Sequence, residues 1–206
     1  INVAPVQIQS VLGKDVLLIE RFDRTYKENN YNKKLLLSGL SILKLHEMEA
    51  RYASYIDLAD IIRIQFYNSS DTLLELYKRL IFNILIGNTD DHARNHAAFW
   101  NGNTLELTPA YDICPQPRSG FEASQAMALN GAEGNLSTLA NVLSICEKFQ
   151  INSNDASKII ADMVKKIQGN WSNICKDATL SAIEQEQLWG KSILNPFCDF
   201  NKTWLT

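Results

Sequence analysis

Three polar side chains of this sequence combine residue types and a spacing that phosphoryl transfer can use. Asp90 and Asn95 stand five residues apart in the run NTDDHARN, and Asp112 follows seventeen residues after Asn95. One carboxylate can orient an attacking hydroxyl, while an amide oxygen and a second carboxylate can hold the magnesium ion that bridges the phosphates. A D-x-x-x-x-N spacing alone is common by chance, so the surrounding elements decide how much it means.

The surrounding pattern places these residues where a buried helix ends. Residues 73–86 form a strongly apolar run with helical spacing, and Gly87-Asn88 is typical of a helix C-cap. Residues 97–107 are predicted to form a β-hairpin, because an Asn-Gly turn separates two apolar runs. A hairpin brings its two ends together, and it could therefore place Asn95 and Asp112 on one metal ion.

Three motifs occur in order along the chain. They are LIERFDR at 18–24, GNTDDHARN at 87–95 and LTPAYD at 107–112, with weaker agreement in YASYIDLADIIR at 52–63. Together they resemble the C-terminal lobe of the HipA-type serine/threonine kinases, the toxins of bacterial toxin–antitoxin pairs. The resemblance is close over roughly residues 1–115 and looser beyond. It implies a mainly α (α+β), protein-kinase-like C-terminal lobe over residues 1–206, with one small β-hairpin at the active site and a short N-terminal strand.

The same resemblance implies a role for each site residue. Asp90 corresponds to the general base, and Asn95 and Asp112 correspond to the ligands of Mg²⁺ beside ATP. The segment 20–22 corresponds to the hinge between the lobes, where backbone groups contact the adenine. Nucleotide contacts are thereby expected at Glu20, Arg21, Phe22, His92, Arg94, Asn95, Tyr111 and Asp112.

The resemblance also implies partners. A protein substrate is expected, with aminoacyl-tRNA synthetases known for the family, and so is an inhibitory helix-turn-helix antitoxin. The chain departs from the family upstream of Glu20, because residues 1–17 supply neither a glycine-rich phosphate loop nor a strand lysine: Gly13 stands alone and Lys14 is expected on a turn. We therefore expect a truncated kinase or half of a split one, which needs an N-terminal lobe and turns over ATP poorly alone.

The composition of the chain limits the classes of protein to which it can belong. The chain has 206 residues, 46% of them hydrophobic and 21% charged, which is ordinary for one globular unit. A net charge of −3 does not indicate the basic surface that nucleic-acid-binding proteins usually carry, so direct nucleic-acid binding is not expected. No run is long enough to cross a membrane, and the first residues do not resemble a signal peptide. The four cysteines are widely spaced, as is typical of reduced thiols in a cytoplasmic protein.

The rest of the pattern predicts a mostly helical lobe. An apolar strand is expected at 15–20, a flexible polar loop at 24–34 and a surface loop at 115–135. Ser54 is a candidate N-cap for a second helix, and Ser70-Asp71 is a candidate cap for the central one. Further helices are predicted over 35–46, 54–65, 136–149, 153–167 and 180–194, the last ended by Pro196.

Simpler interpretations stand beside the catalytic one. Asp91 has no role in the scheme and is expected to be solvated or paired with Arg94. His92 and His96 fall four residues apart, which on a helix would suit zinc, but this segment is predicted to be a loop. A metal hydrolase is accordingly the weakest alternative; it would use Asp90, His92, His96 and Asp112.

A second class of function is a non-catalytic interaction module, either a split subunit or a pseudokinase remnant that docks a partner lobe. It is motivated by the apolar run VLLI at 16–19, which would need a neighbour in a sheet. At the end of this strand, Arg21 and Asp23 are expected to form a structural ion pair.

Overall fold

Strands fill the N-terminal part of the molecule, and helices fill most of the rest. The computed structural model describes residues 1–27, 30–116, 120–131 and 133–201. The strands are β1 (Val6–Val11), β2 (Lys14–Ile19), β3 (Arg24–Lys27), β4 (Asn30–Lys33), β5 (Leu35–Ser38), β6 (Ala97–Trp100) and β7 (Leu105–Leu107). The α-helices are α1 (Gly39–Ile42), α2 (Tyr55–Gln65), α3 (Ser69–Ile86), α4 (Leu139–Ser144), α5 (Ser153–Asp177) and α6 (Ala182–Leu188). Short 3₁₀ helices cover Glu47–Tyr52, Ala93–Asn95, Cys146–Phe149 and Pro196–Cys198.

Helix α3 is the centre of the hydrophobic core. Its apolar residues recur every three or four positions, and they are buried against α2, α4 and α5. The predicted Ser70-Asp71 cap is wrong, because the helix begins at Ser69 and Asn68 donates a 2.6 Å hydrogen bond to Asp71. The predicted C-cap is confirmed: Gly87 has φ 71°, and its N–H bonds the carbonyls of the last turn.

The predicted hairpin is confirmed as β6–β7, and it belongs to a three-stranded sheet in the order β5–β6–β7. The helix predicted over 35–46 is wrong over its first part, since β5 pairs antiparallel with β6 from Leu35–Trp100 to Ser38–Ala97. Three consecutive leucines carry no period of their own, so pairing with β6 decides the conformation. Only the four-residue α1 follows as α-helix in that range.

Two further antiparallel pairs lie near the N-terminus. The predicted strand is β2, and it pairs with β1 through a turn at which Gly13 has φ 74°. All twelve residues of β1 and β2 are exposed, which leaves their aliphatic side chains uncovered. Residues 28–29 of the flexible loop predicted over 24–34 lie outside the described residues; on either side of them the prediction is wrong, because β3 pairs with β4 and the Tyr26 and Tyr31 rings meet at 4.9 Å. Such cross-strand aromatic contacts stabilise a strand pair.

The other helices follow the predictions in position more than in length. Helix α2 begins as predicted, with the Ser54 hydroxyl accepting the Asp57 N–H. The helix predicted over 136–149 is split into α4 and a 3₁₀ turn, whereas α5 continues ten residues past its predicted end at 167. Helix α6 ends at Leu188, well before Pro196, because Gly190 turns the chain with φ 73°.

The segment after the hairpin is also more buried than predicted. The range 115–135 contains no helix or named strand among its described residues. However, Gln125 and Met127 are buried, so the segment is not a simple surface loop. In the part of the chain that the structure describes, no helix has the length and apolar character needed to cross a membrane.

Candidate active site

The loop between α3 and β6 carries most of the predicted site residues, and backbone contacts fix its course. Asn88 is buried; its N–H donates to the Asn83 carbonyl at 2.8 Å, and its side-chain amide donates to Asn83 Oδ1 at 3.1 Å. The segment 126–127 lies alongside, donating from its N–H groups to the carbonyls of Thr89 (2.9 Å) and Asp91 (3.2 Å). The loop is therefore an ordered part of the core rather than a free connection.

Asn95 and Asp112 lie side by side. The Asn95 amide nitrogen donates to Asp112 Oδ2 at 2.9 Å and to the Asp112 carbonyl at 3.4 Å. Asn95 is buried, and its Oδ1 is enclosed with no hydrogen-bond partner. Asp112 is exposed and has φ 57°, a left-handed conformation that Asp tolerates better than most residues. The hairpin β6–β7 thus brings the two segments together in the way expected of it.

Tyr111 adds a second link between the same two segments. Its hydroxyl donates to the Arg94 carbonyl at 2.6 Å, next to the contact between Asn95 and Asp112. Burial, together with the negative charges of Asp112 and Asp91, raises the pKa of Tyr111 to about 12. The hydroxyl therefore stays protonated and keeps donating at physiological pH.

The predicted hinge lies against this link. The Phe22 ring packs on Tyr111 at a centroid distance of 5.7 Å and edge-on against Phe99 at 6.0 Å. A cavity of about 370 Å³ opens beside these rings, and its lining residues are Ile19, Glu20, Arg21, Phe22, Asp23, Leu36 and Tyr111. Three of the predicted nucleotide contacts in the hinge thus border one cavity with Tyr111.

The predicted ion pair at the hinge is present. Arg21 donates two hydrogen bonds to the Asp23 carboxylate, at 2.8 and 2.6 Å. The hydrogen bond from Arg21 lowers the pKa of Asp23 below its ordinary value. Because both groups are solvent-accessible, the pair shapes the hinge more than it stabilises the fold.

A larger cavity, of about 620 Å³, lies between α3, α5 and the first residues. Its lining is largely apolar, with Phe82 and Met163 among its members and Lys78, Asp162 and Lys166 as its charged groups. Asp90, Asn95 and Asp112 do not border it. The chemistry of the side chains, rather than cavity size, therefore places the candidate site at the loop.

The other predicted residues occupy the same loop in different settings. Asp90 is exposed on the turn after α3. His92 is partly buried, and its Nδ1 is enclosed without a hydrogen-bond partner. The Arg94 side chain pairs with Glu47 at 3.0 Å, while its carbonyl accepts from Tyr111.

The expected setting of Asp91 is wrong. Asp91 is only 3% exposed, and it does not pair with Arg94. Its carboxylate accepts hydrogen bonds from the Tyr55 hydroxyl and the Asn83 side chain, and it lies 3.1 Å from His96 Nε2. Burial alone would raise the pKa of Asp91, but the charge and hydrogen bond of His96, with those from Tyr55 and Asn83, lower it overall.

The sequence contained one signal for this buried cluster. Asn83 is a polar residue within the apolar run 73–86, on the last turns of a buried helix. A buried polar side chain requires hydrogen-bond partners, and here they are Asn88 and the Asp91 cluster. That inference could have been drawn without the structure, although the identity of the partners could not.

The zinc alternative loses its basis. His96 is bonded to Asp91 in the core rather than directed with His92 at a shared ion. Within the described residues, no three His, Cys, Asp or Glu side chains come together as a group that could hold a metal. The four-residue hydrolase centre is therefore not formed.

A magnesium site needs fewer protein ligands than the zinc site considered above. Mg²⁺ is typically held by one or two carboxylates together with waters and substrate phosphates. Asn95 supplies an enclosed amide oxygen without a partner, and Asp112 supplies an exposed carboxylate beside it. The donor set fits this ion.

Solved structures define the class of fold. HipA of Shewanella oneidensis MR-1, from the complex of its toxin–antitoxin system with HipB and operator DNA, aligns with a TM-score of 0.77 at 18% identity, covering 96% of this chain and 54% of that one. The proinflammatory kinase CtkA of Helicobacter pylori aligns with a TM-score of 0.56 at 14% identity, covering 96% and 80%. The predicted α+β, kinase-like fold is confirmed.

Sequence comparison then gives the family. The HipA-like C-terminal domain family matches residues 1–171, and the chain belongs to it. A protein of Sinorhizobium fredii (strain NBRC 101917 / NGR234) named "Putative kinase Y4mE" is 25% identical over 118 residues, 55% of this chain and 28% of that protein. A "Putative kinase" of Haemophilus influenzae (strain ATCC 51907 / DSM 11121 / KW20 / Rd) is 28% identical over 131 residues, 60% of this chain and 38% of that protein. The chain thus matches well under half the length of each curated relative.

Proposed function

We propose that this chain is the catalytic lobe of a HipA-like serine/threonine kinase, which transfers the γ-phosphate of ATP to a protein hydroxyl in the cytoplasm. The observation that carries the proposal is the contact between Asn95 and Asp112, which leaves Asn95 Oδ1 enclosed without a partner. Relatives named as kinases and the kinase-like fold support it.

Each site residue has a defined task in this proposal. Asp90, exposed at the start of the loop, accepts the proton of the serine or threonine hydroxyl as the hydroxyl oxygen bonds to the γ-phosphorus; the bond from that phosphorus to the β,γ-bridging oxygen breaks, and ADP leaves. Asn95 Oδ1 and the Asp112 carboxylate are the protein ligands for Mg²⁺. When bound, Mg²⁺ would neutralise negative charge on the phosphates. Tyr111 keeps the two ligand segments together through its bond to Arg94.

The hinge cavity is the proposed place for the adenine. Backbone groups of 20–22 would contact the base, and the rings of Phe22 and Tyr111 give the cavity an apolar wall. His92 and Arg94, on the loop beside the ligand pair, are proposed to lie near the phosphates. Burial of Phe22 against Phe99 fixes this wall in place.

The proposed partners are based on the family and on the exposed surface of β1 and β2. We propose a protein substrate, with an aminoacyl-tRNA synthetase as the class to test first, and a HipB-like helix-turn-helix antitoxin, since the Shewanella structure contains HipA together with HipB. The exposed aliphatic side chains of β1 and β2 are proposed to meet an N-terminal lobe, in the same polypeptide or in a separate subunit.

That surface also supports the second candidate function, a non-catalytic module that docks a partner lobe. Val6, Ile8, Leu17 and Ile19 form one face of the β1–β2 pair, and each is at least 48% exposed. The two candidates differ in one respect, which is whether Asp90 is needed for phosphate transfer.

Transfer of radiolabelled phosphate from ATP to protein, by the full-length gene product that contains this chain, separates the two. Asp90→Asn is expected to lower transfer by about 10²–10⁴-fold, because it removes the base and leaves the fold intact. Asp162→Asn, on the exposed side of α5, is the matched control and is expected to transfer phosphate at the wild-type rate. Wild-type transfer by Asp90→Asn would refute the base assignment, and absence of transfer by the wild type would favour the docking module.

A further inference from the structure

Four buried polar side chains hold the inner side of the loop that carries Asp90 and Asn95. Tyr55 stands at the start of α2, Asn83 in the last turn of α3, and Asp91 and His96 on the loop itself. Each of the four is at most 3% exposed. None of them has a task in the proposed transfer.

The carboxylate of Asp91 is the centre of this cluster. The Tyr55 hydroxyl donates to Asp91 Oδ2, and His96 Nε2 lies 3.1 Å from the same oxygen. The Asn83 side chain also hydrogen-bonds the carboxylate. The Tyr55 ring packs edge-on against the His96 ring, with centroids 5.6 Å apart. The group is thus joined by hydrogen bonds as well as by packing.

The order of residues along the chain connects this cluster to the site. Asp91 directly follows Asp90, and His96 directly follows Asn95. The contact between Asp91 and His96 therefore joins the two ends of the segment that separates the base from the metal ligand. Tyr55 and Asn83 fix that contact to two helices of the core, so the loop cannot shift without breaking a buried hydrogen bond.

A buried carboxylate is costly unless it is fully hydrogen-bonded, and an apolar side chain would fill the same space at lower cost. We propose that Asp91 is a positioning residue, whose carboxylate, held by Tyr55, Asn83 and His96, sets the placement of Asp90 relative to Asn95. This inference rests on the proposed kinase function. Both ends also have other bonds, from Asn95 to His92 and Asp112 and from the N–H groups of 126–127 to the carbonyls on either side of Asp90, and the Asp91 carboxylate adds the side-chain contacts to α2 and α3.

Two tyrosine hydroxyls allow a matched test. Tyr55 and Tyr77 are both fully buried, and the Tyr77 hydroxyl donates to a backbone carbonyl, that of Val142, at 3.2 Å in the core. Tyr55→Phe and Tyr77→Phe each delete one buried hydroxyl and keep the ring. We expect kcat for transfer to fall on the order of 10-fold or more in Tyr55→Phe, since small misplacements of reacting groups are costly. The KM for ATP should hardly change, and Tyr77→Phe should keep the wild-type kcat.

Hydrogen exchange of the backbone amides supplies a second readout that does not need activity. Tyr55→Phe is expected to speed exchange in residues 88–96 while leaving α3 protected, whereas Tyr77→Phe should leave the loop unchanged. Asp91→Asn should lower kcat and speed exchange in residues 88–96 more than Tyr55→Phe does. If Asp91→Asn does not fold, Tyr55→Phe alone tests the positioning role.

The possible failures are distinguishable. A wild type that transfers no phosphate defeats the proposed kinase, and the exchange data then decide alone whether Asp91 holds the loop. Normal kcat in Tyr55→Phe, in an enzyme whose wild type is active, overturns the positioning role. Equal rates of hydrogen exchange in residues 88–96 of Tyr55→Phe and Tyr77→Phe would also overturn the positioning role.

Discussion

The two sides of the loop between α3 and β6 carry neighbouring aspartates in opposite environments. On the outer side, Asp90 is exposed to solvent. On the inner side, Asp91 is enclosed and bonded to Tyr55 and His96. The residue type is the same and the positions are adjacent, so contacts from distant parts of the chain create the difference. One side of the loop is open to solvent, while the other is bonded to the core.

The largest expected effect on stability tests this contrast directly. Asp91→Ala should lower the free energy of unfolding by about 3–5 kcal/mol, because it leaves Tyr55, Asn83 and His96 without their shared partner. Asp90→Ala should change it by no more than about 0.5 kcal/mol, as is usual for exposed positions. Urea unfolding of the two variants, followed by circular dichroism, gives both values. Equal losses would mean that the two sides do not differ in the way described.

A smaller effect is expected where the inner side meets α1. The Gly39 N–H donates to the His96 carbonyl at 2.6 Å, and a Cβ on Gly39 would lie 2.5 Å from the Ala93 carbonyl oxygen and 3.3 Å from His96 Cβ. Gly39→Ala should therefore cost about 1–3 kcal/mol through overpacking.

Gly169 supplies the control for that change. It lies within α5, where an added Cβ would meet no heavy atom within 4 Å apart from its chain neighbours and the backbone of its own helix. Gly169→Ala should stabilise the protein by about 0.5–1 kcal/mol, because alanine loses less backbone entropy in a helix. Thermal unfolding of both variants measures the two effects on stability. A stabilising Gly39→Ala would show that the packing of α1 against the loop is loose.

The smallest effects are expected on the outer side, where Arg94 lies together with Asp90. Arg94 pairs with Glu47 at 3.0 Å, and both side chains are more than one third exposed. Arg94→Ala should therefore change the free energy of unfolding by about 0–1 kcal/mol. A loss as large as that of Asp91→Ala, measured in the same urea titration, would place Arg94 with the inner group.

Sequence reasoning succeeded where local residues decide the structure. The apolar period of α3 with its Gly87 cap, the Ser54 start of α2 and the Asn-Gly hairpin are all set by neighbours in the chain. The pairing of Asn95 with Asp112 followed from the hairpin, because its ends must meet.

The same reasoning failed where a distant partner decides. The three leucines of β5 become a strand through β6, and β3 is ordered by its pairing with β4. Asp91 could not be separated from Asp90 by type or position, since its burial depends on Tyr55, located 36 residues earlier. Its role as a positioning residue stays a proposal, as do the roles of Asp90, Asn95 and Asp112.

If Asn95 and Asp112 together hold a magnesium ion at a nucleotide's phosphates, as proposed, nucleotide affinity depends on both side chains and on Mg²⁺. Calorimetric titration of the full-length protein with a non-hydrolysable ATP analogue, with Mg²⁺ and with EDTA, measures this dependence. Mg²⁺ should strengthen binding to the wild type, and Asn95→Ala and Asp112→Ala should each lose at least about 10-fold in affinity with Mg²⁺ while binding equally well in EDTA. Variants that keep the full wild-type response to Mg²⁺ would show that these two side chains do not hold the ion.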